Sequence, residues 1–100
     1  MTLSEHATIS SDILARYAAD AAQEVDGVCG LVEGHLPRQR GVRITDDEGR
    51  VTVEVHLAVD WGASIPAVGR EVQQRIAEYL QRMADVRPAA IDVVVDEVRR

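Results

Sequence analysis

The run Val51-Thr52-Val53-Glu54-Val55-His56-Leu57-Ala58-Val59-Asp60-Trp61 decides the fold. Every odd position is apolar, and the even positions between them carry Thr, Glu, His, Ala and Asp. Alternation of period two over this length is the signature of one long strand with a buried face and a wetter one. At about 3.3 Å per residue such a strand crosses a whole domain. The pattern predicts Trp61 as the last residue of the buried stripe, with Gly62 breaking the strand.

Working outward, Val42 and Ile44 open a strand just upstream, and Asp46-Asp47-Glu48-Gly49 reads as a turn in which Gly supplies positive φ. Residues 41–45 and 50–61 therefore read as an antiparallel hairpin. Downstream, Ser64 suits a helix N-cap, and Pro66 is tolerated because first-turn amides have no intrahelical acceptor. Ile65, Val68, Val72, Ile76, Leu80 and Met83 step by three or four, with Tyr79 joining the stripe, and this spacing predicts an amphipathic helix. Arg87-Pro88 enforces an extended exit. Ile91, Val93 and Val95 then alternate with Asp92, Val94 and Asp96 in a final strand.

Ahead of the hairpin, Ser10 or Ser11 caps a first helix with Asp12 in its first turn. Ile13, Tyr17, Ala21 and Val25, with Leu14 and Ala18 beside them, form its apolar stripe, and Gly27 ends it in the left-handed conformation. Val28 to Glu33 reads as a short strand, and His35 to Arg40, with Pro37, as a loop. Residues 1–8 read as a disordered lead-in and 9–98 as one α+β domain. Its expected architecture has two layers: three or four largely antiparallel strands, two helices on one face, and the order α-β-β-β-α-β.

The chain has 100 residues, 46% of them hydrophobic, with no Phe and three aromatic residues in all, so the core must be aliphatic. The net charge is −6 and every basic residue is Arg, which disfavours binding to nucleic acid by counterion release and to an anionic lipid surface. Membrane association is expected to run through a partner. Cys29 is the only cysteine, so no intrachain disulfide forms, which suits a reducing compartment. The N-terminal stretch has neither a basic n-region nor an apolar h-region, and the apolar runs are too short to span a bilayer. A cytoplasmic protein is expected.

Several residues in order carry a resemblance. Glu24-Val25-Asp26-Gly27-Val28 follows the first helix, Arg40-Gly41-Val42 comes next, and Val59-Asp60-Trp61-Gly62 ends the long strand. Ile65-Pro66, Glu71-Val72-Gln73, Met83 and Ile91-Asp92-Val93-Val94-Val95 complete the series. Over residues 8 to 98 the chain resembles the alkaline shock protein family of bacteria, also called envelope stress response proteins. The resemblance implies a non-enzymatic protein of cell-envelope homeostasis that self-associates and sits at the cytoplasmic face through membrane-embedded partners. The family offers no agreed catalytic residues to carry over. Two positions depart from its pattern: Asp85 stands after the second helix where Gly is common, and the basic extensions of some members are absent.

Each candidate for chemistry has a plainer reading. Gly27-Val28-Cys29-Gly30 matches the GXXG loop with which KH domains clamp a nucleic-acid backbone, but Glu24, Asp26 and Glu33 flank it where cations are needed. A KH-like nucleic-acid-binding module is the alternative function. Cys29 has no cation or histidine beside it in sequence to activate it and reads as a small buried hydrophobe. His6, His35 and His56 lack metal-ligand spacing. Glu54, His56 and Asp60 share one strand face, where an acid/base pair competes with a salt-bridged solvent face. No catalytic residue, metal or cofactor is expected. The candidate interaction residues are Val93, Val94 and Val95, which make the last strand apolar on both faces, and Arg38, Arg40 and Arg43, which concentrate positive charge. The expected partners are further copies of the chain and a membrane-anchored protein, with no nucleic acid and no direct membrane insertion.

Overall fold

The computed structural model describes residues 9–32 and 41–100. The expected lead-in at 1–8, the loop His35 to Arg40, and with it Arg38 and Arg40, lie outside the described residues. The order of elements is α1 (Ser11–Gln23), β1 (Val28–Leu31), β2 (Val42–Asp47), β3 (Arg50–Asp60), α2 (Ile65–Ala84) and β4 (Ala90–Arg99).

The long strand read from the sequence is β3, and the sheet is built around it. One edge of β3 is shared end to end by two antiparallel strands. Asp47 to Val42 of β2 pair with Arg50 to Val55, and Leu31 to Val28 of β1 pair with Leu57 to Val59. At the junction, the His56 N–H donates to Gly41 and the Val32 N–H donates to the His56 carbonyl, so the ladder has no gap. β4 takes the other edge from Thr52 to Asp60 and runs parallel to β3. The sheet is therefore antiparallel in two of its pairings and parallel in its longest. The reason is connectivity: α2 carries the chain back across the sheet before β4, the crossover that parallel neighbours require.

The hairpin closes through Glu48 (φ 53°) and Gly49 (φ 88°), the two consecutive left-handed residues of a tight two-residue turn. The Gly49 N–H also donates to the Asp46 carboxylate at 2.9 Å.

Both helices cover the same face, and the core lies between. Val51, Val53, Val55, Leu57 and Val59 meet Val68, Val72, Ile76 and Leu80 of α2 and Leu14, Ala18, Ala21 and Ala22 of α1. The N-caps are Ser10, whose hydroxyl accepts from the Ile13 N–H, and Ser64, whose hydroxyl accepts from that of Ala67. Asp85 caps α2 in the left-handed conformation at φ 53°, as the position commonly held by Gly requires.

Three expectations are corrected. The α1 stripe is shifted: Leu14, Ala18, Ala21 and Val25 are buried as expected and are joined by Ala15 and Ala22, whereas Ile13 is 42% exposed, because small alanines let the helix approach α2 and the sheet closely. Helix α1 ends at Gln23 with Glu24 in a right-handed cap, so Gly27 (φ 97°) turns the chain into β1 rather than ending the helix. A Cβ at Gly27 would lie 2.9 Å from Val68 Cγ2, so glycine is needed there for space as well as for φ. Trp61 falls outside β3 and is 65% exposed, with the Arg100 guanidinium 4.7 Å from its ring centre.

Candidate functional site

The helices leave the second face of the sheet open. Paired residues share a face, so the register places the side chains of this face in rows across three strands. One row is Arg43, Glu54 and Asp92; the rows beside it contain Thr45, Thr52 and Ala90 on one side, and His56 and Val94 on the other. Arg43, Thr45, Ala90, Asp92 and Val94 are exposed, and Thr52, Glu54 and His56 are half-buried.

His56 sits at the centre of this face between two carboxylates. Its Nε2 lies 2.8 Å from Glu54 Oε2 and its Nδ1 lies 2.7 Å from Asp96 Oδ2. A protonated ring donates to both. The hydrogen bond to Glu54, joined by that to Asp96, raises the imidazole above its ordinary value of about 6.5 against the opposing effect of desolvation. With both ring nitrogens engaged, neither is available to take a proton from a substrate, and the group acts as a tie between β3 and β4. The expected neighbour Glu54 is there; the second partner is Asp96 of the last strand, not Asp60.

Asp96 sits at a β-bulge. The β3–β4 register shifts between Leu57 and Ala58, so Leu57 opposes Val95, Ala58 opposes Glu97, and Asp96 is the extra residue. Glu97 then pairs with Arg99 at 2.8 Å. The Arg99 guanidinium lies 3.6 Å from where a Cβ on Gly30 would stand. A bulge is not visible in an alternation pattern, since one inserted residue simply ends it.

The residues singled out from sequence fall on different surfaces. Val93 and Val95 are half-buried and pack against the core under the helices, whereas Val94 is exposed on the open face. Arg43 shares that face. Cys29, expected to be buried, is exposed beside the irregularity between Val28 and Gly30. Its thiol is raised above the ordinary cysteine value, first by partial desolvation and then by the neighbouring Asp60 carboxylate, which leaves it poorly nucleophilic at neutral pH. Val28 to Gly30 belong to β1 and follow the turn at Gly27, so the GXXG stretch is strand rather than an open loop. Trp61, Arg99, Arg100 and Asp60 line a shallow recess at the end of β3 that the sequence reading did not single out. Among the described residues, no group of three His, Cys, Asp or Glu side chains is placed to hold a metal ion, and no helix is long and apolar enough to cross a membrane.

Fold and face together define a small two-layer α+β domain in which the described residues cover one sheet surface and leave the other bare. A profile for the alkaline shock protein 23 family, described as having a cell envelope-related function, matches residues 2–100. The chain belongs to that family. It is 30% identical over 95 residues to the uncharacterised protein YqhY of Bacillus subtilis (strain 168), covering 85% of this chain and 70% of that protein. Among solved structures it is similar to a variant of the MamM CTD, with a TM-score of 0.61 at 15% identity over 91% of this chain and 100% of that one. A copper form of another MamM CTD variant gives the same values: TM-score 0.61, 15% identity, 91% and 100% coverage. At that identity the likeness is one of fold alone.

Proposed function

We propose that this protein is a non-enzymatic component of cell-envelope homeostasis that works by self-association and protein–protein interaction on the cytoplasmic side of the membrane. Membership of a family with a cell envelope-related function supports the envelope part of the reading. The observation that carries the interaction part is the bare face of the sheet. A sheet of this kind normally buries one face and wets the other. Here the wet face is crossed by a row of charges and bears an exposed valine, Val94, on a strand that, among the described residues, is paired along one edge only. Edge strands and open faces of this kind are where further chains add.

The experiment is chemical crosslinking in native membranes followed by affinity isolation and mass spectrometry. Wild type should yield crosslinks between copies of the chain and to a membrane-embedded protein. Arg43→Glu combined with Val94→Lys should diminish both. Unchanged crosslinks in that variant would place the interaction surface elsewhere, and a wild type that crosslinks to nothing would end the reading.

A further inference from the structure

We infer that the open face of the sheet is self-complementary in charge and docks face to face on the same face of a second copy, with Arg43 of each copy set against Asp92 of the other. The inference rests on the self-association reading above and deepens it by naming the surface and its pairing.

Arg43 on β2, Glu54 on β3 and Asp92 on β4 stand in a single row, so Arg43 and Asp92 are two strand spacings apart, about 10 Å, on opposite flanks of β3. In this row the flank on the β2 side carries the cation and the flank on the β4 side the Asp92 carboxylate. Elsewhere on the face, Asp47 of β2 stands beside Arg50 of β3, Asp96 is held by His56, and Glu97 is paired with Arg99. A two-fold axis running along β3 between two facing copies exchanges the flanks and keeps each row level. It therefore brings each Arg43 over an Asp92. A symmetric interface requires a patch complementary to itself, and a row reading plus, minus, minus with its central minus already held meets that condition. That central carboxylate is Glu54, which is engaged by its own His56 ring at 2.8 Å. Among the described residues, neither Arg43 nor Asp92 forms an ion pair within its own chain.

The rest of the surface suits close approach. The row on one side of the charges holds Thr45, Thr52 and Ala90, all short side chains, and the row on the other holds Val94 and His56, whose ring is held against Glu54 and Asp96. β3 is 11 residues long, so three strands give a face of roughly 36 by 14 Å, on the order of 1,000 Å² for both copies. That is the lower end of what a specific interface needs, which points to a weak, reversible dimer. Each copy carries a net charge of −6, so unspecific contact between copies is repulsive and only a locally complementary patch overcomes it.

The test is sedimentation equilibrium of the full chain as wild type, Arg43→Asp, Asp92→Arg and the double swap. Both side chains are exposed, and far-UV circular dichroism checks that each variant is folded. Wild type should be a dimer, each single reversal should raise the dissociation constant by about tenfold or more, and the double swap should restore it to within about threefold. A wild-type dimer unaffected by the single reversals, or a double swap no better than the worse single variant, would overturn this pairing and leave self-association standing. A wild type that stays monomeric at every concentration would remove both.

Discussion

The two faces of β3 are made by the same eleven residues and follow opposite rules. On the covered face, Val53, Val55, Leu57 and Val59 are each 0% exposed. They need only apolar bulk of the right volume, and Val, Leu, Ile and Ala supply it without any aromatic anchor. On the open face, Glu54, His56 and Asp96 depend on particular hydrogen bonds, and their side chains keep 32 to 38% of their surface in water. Burial on one side supports the whole domain, whereas the polar pairs on the other contribute little to folding and mainly arrange a surface.

The largest effect expected from breaking this division is on the covered face. Leu57→Ala removes a fully buried side chain between the sheet and the helices and should lower unfolding free energy by about 3 kcal/mol, read by urea denaturation. Next is Gly27→Ala, where a positive φ and a 2.9 Å approach to Val68 combine; a loss of about 2 kcal/mol is expected by the same measurement. A change much smaller than this would mean that the turn between α1 and β1 is free to relax.

His56→Gln acts on the open face. The folded-state pKa of His56 is raised, so the ring contributes stability that is fully present below about pH 6.5 and is lost as pH rises through the higher folded value. The groups around it are Glu54 on its own strand, Asp92 and Asp96 on β4, and Arg43 on β2. Because the trio is about one third exposed, the effect should stay below about 1 kcal/mol. Thermal melts of wild type and His56→Gln should differ at pH 5.5 and converge at alkaline pH; a constant difference across pH would show that the ring packs rather than titrates. The smallest effect belongs to Thr45→Ser, on the exposed open face, where unfolding free energy should change by no more than about 0.5 kcal/mol.

How far the fold was legible follows from the same contrast. Alternation in 51–59 and three-four spacing in α2 each declare an element locally and stand where the sequence places them. The Asp46 to Gly49 turn is tighter than expected, since Asp46 and Asp47 pair in β2 and only Glu48 and Gly49 turn. The parallel pairing of β4 was not legible, since alternation identifies a strand but not its neighbour or direction. Nor was the shift of the α1 stripe, because alanines pack closely and let bulkier Ile13 and Tyr17 lie toward the rim. Trp61 misled because it continues the odd-numbered pattern one residue beyond the ladder, where the turn to α2 begins and Arg100 covers its ring. Of the open face, Glu54 and His56 could be read as neighbours from their spacing. Asp96 could not, because it lies forty residues away and meets the ring only once β4 is paired beside β3. Arg43 and Asp92 come into one row only once β2 and β4 flank β3 in this register.

The measurement that bears most directly on the division of faces compares thiol labelling at two adjacent residues of β2, each in a Cys29→Ser background. Thr45→Cys places the thiol on the open face and Ile44→Cys places it against the helices, where the isoleucine is 7% exposed. Thr45→Cys should label rapidly in dilute protein and slow as protein concentration rises, whereas Ile44→Cys should remain protected throughout until the domain unfolds. Equal protection of the two in dilute protein, or a rate at position 45 that ignores concentration, would contradict the claim that one face is core and the other is where chains meet.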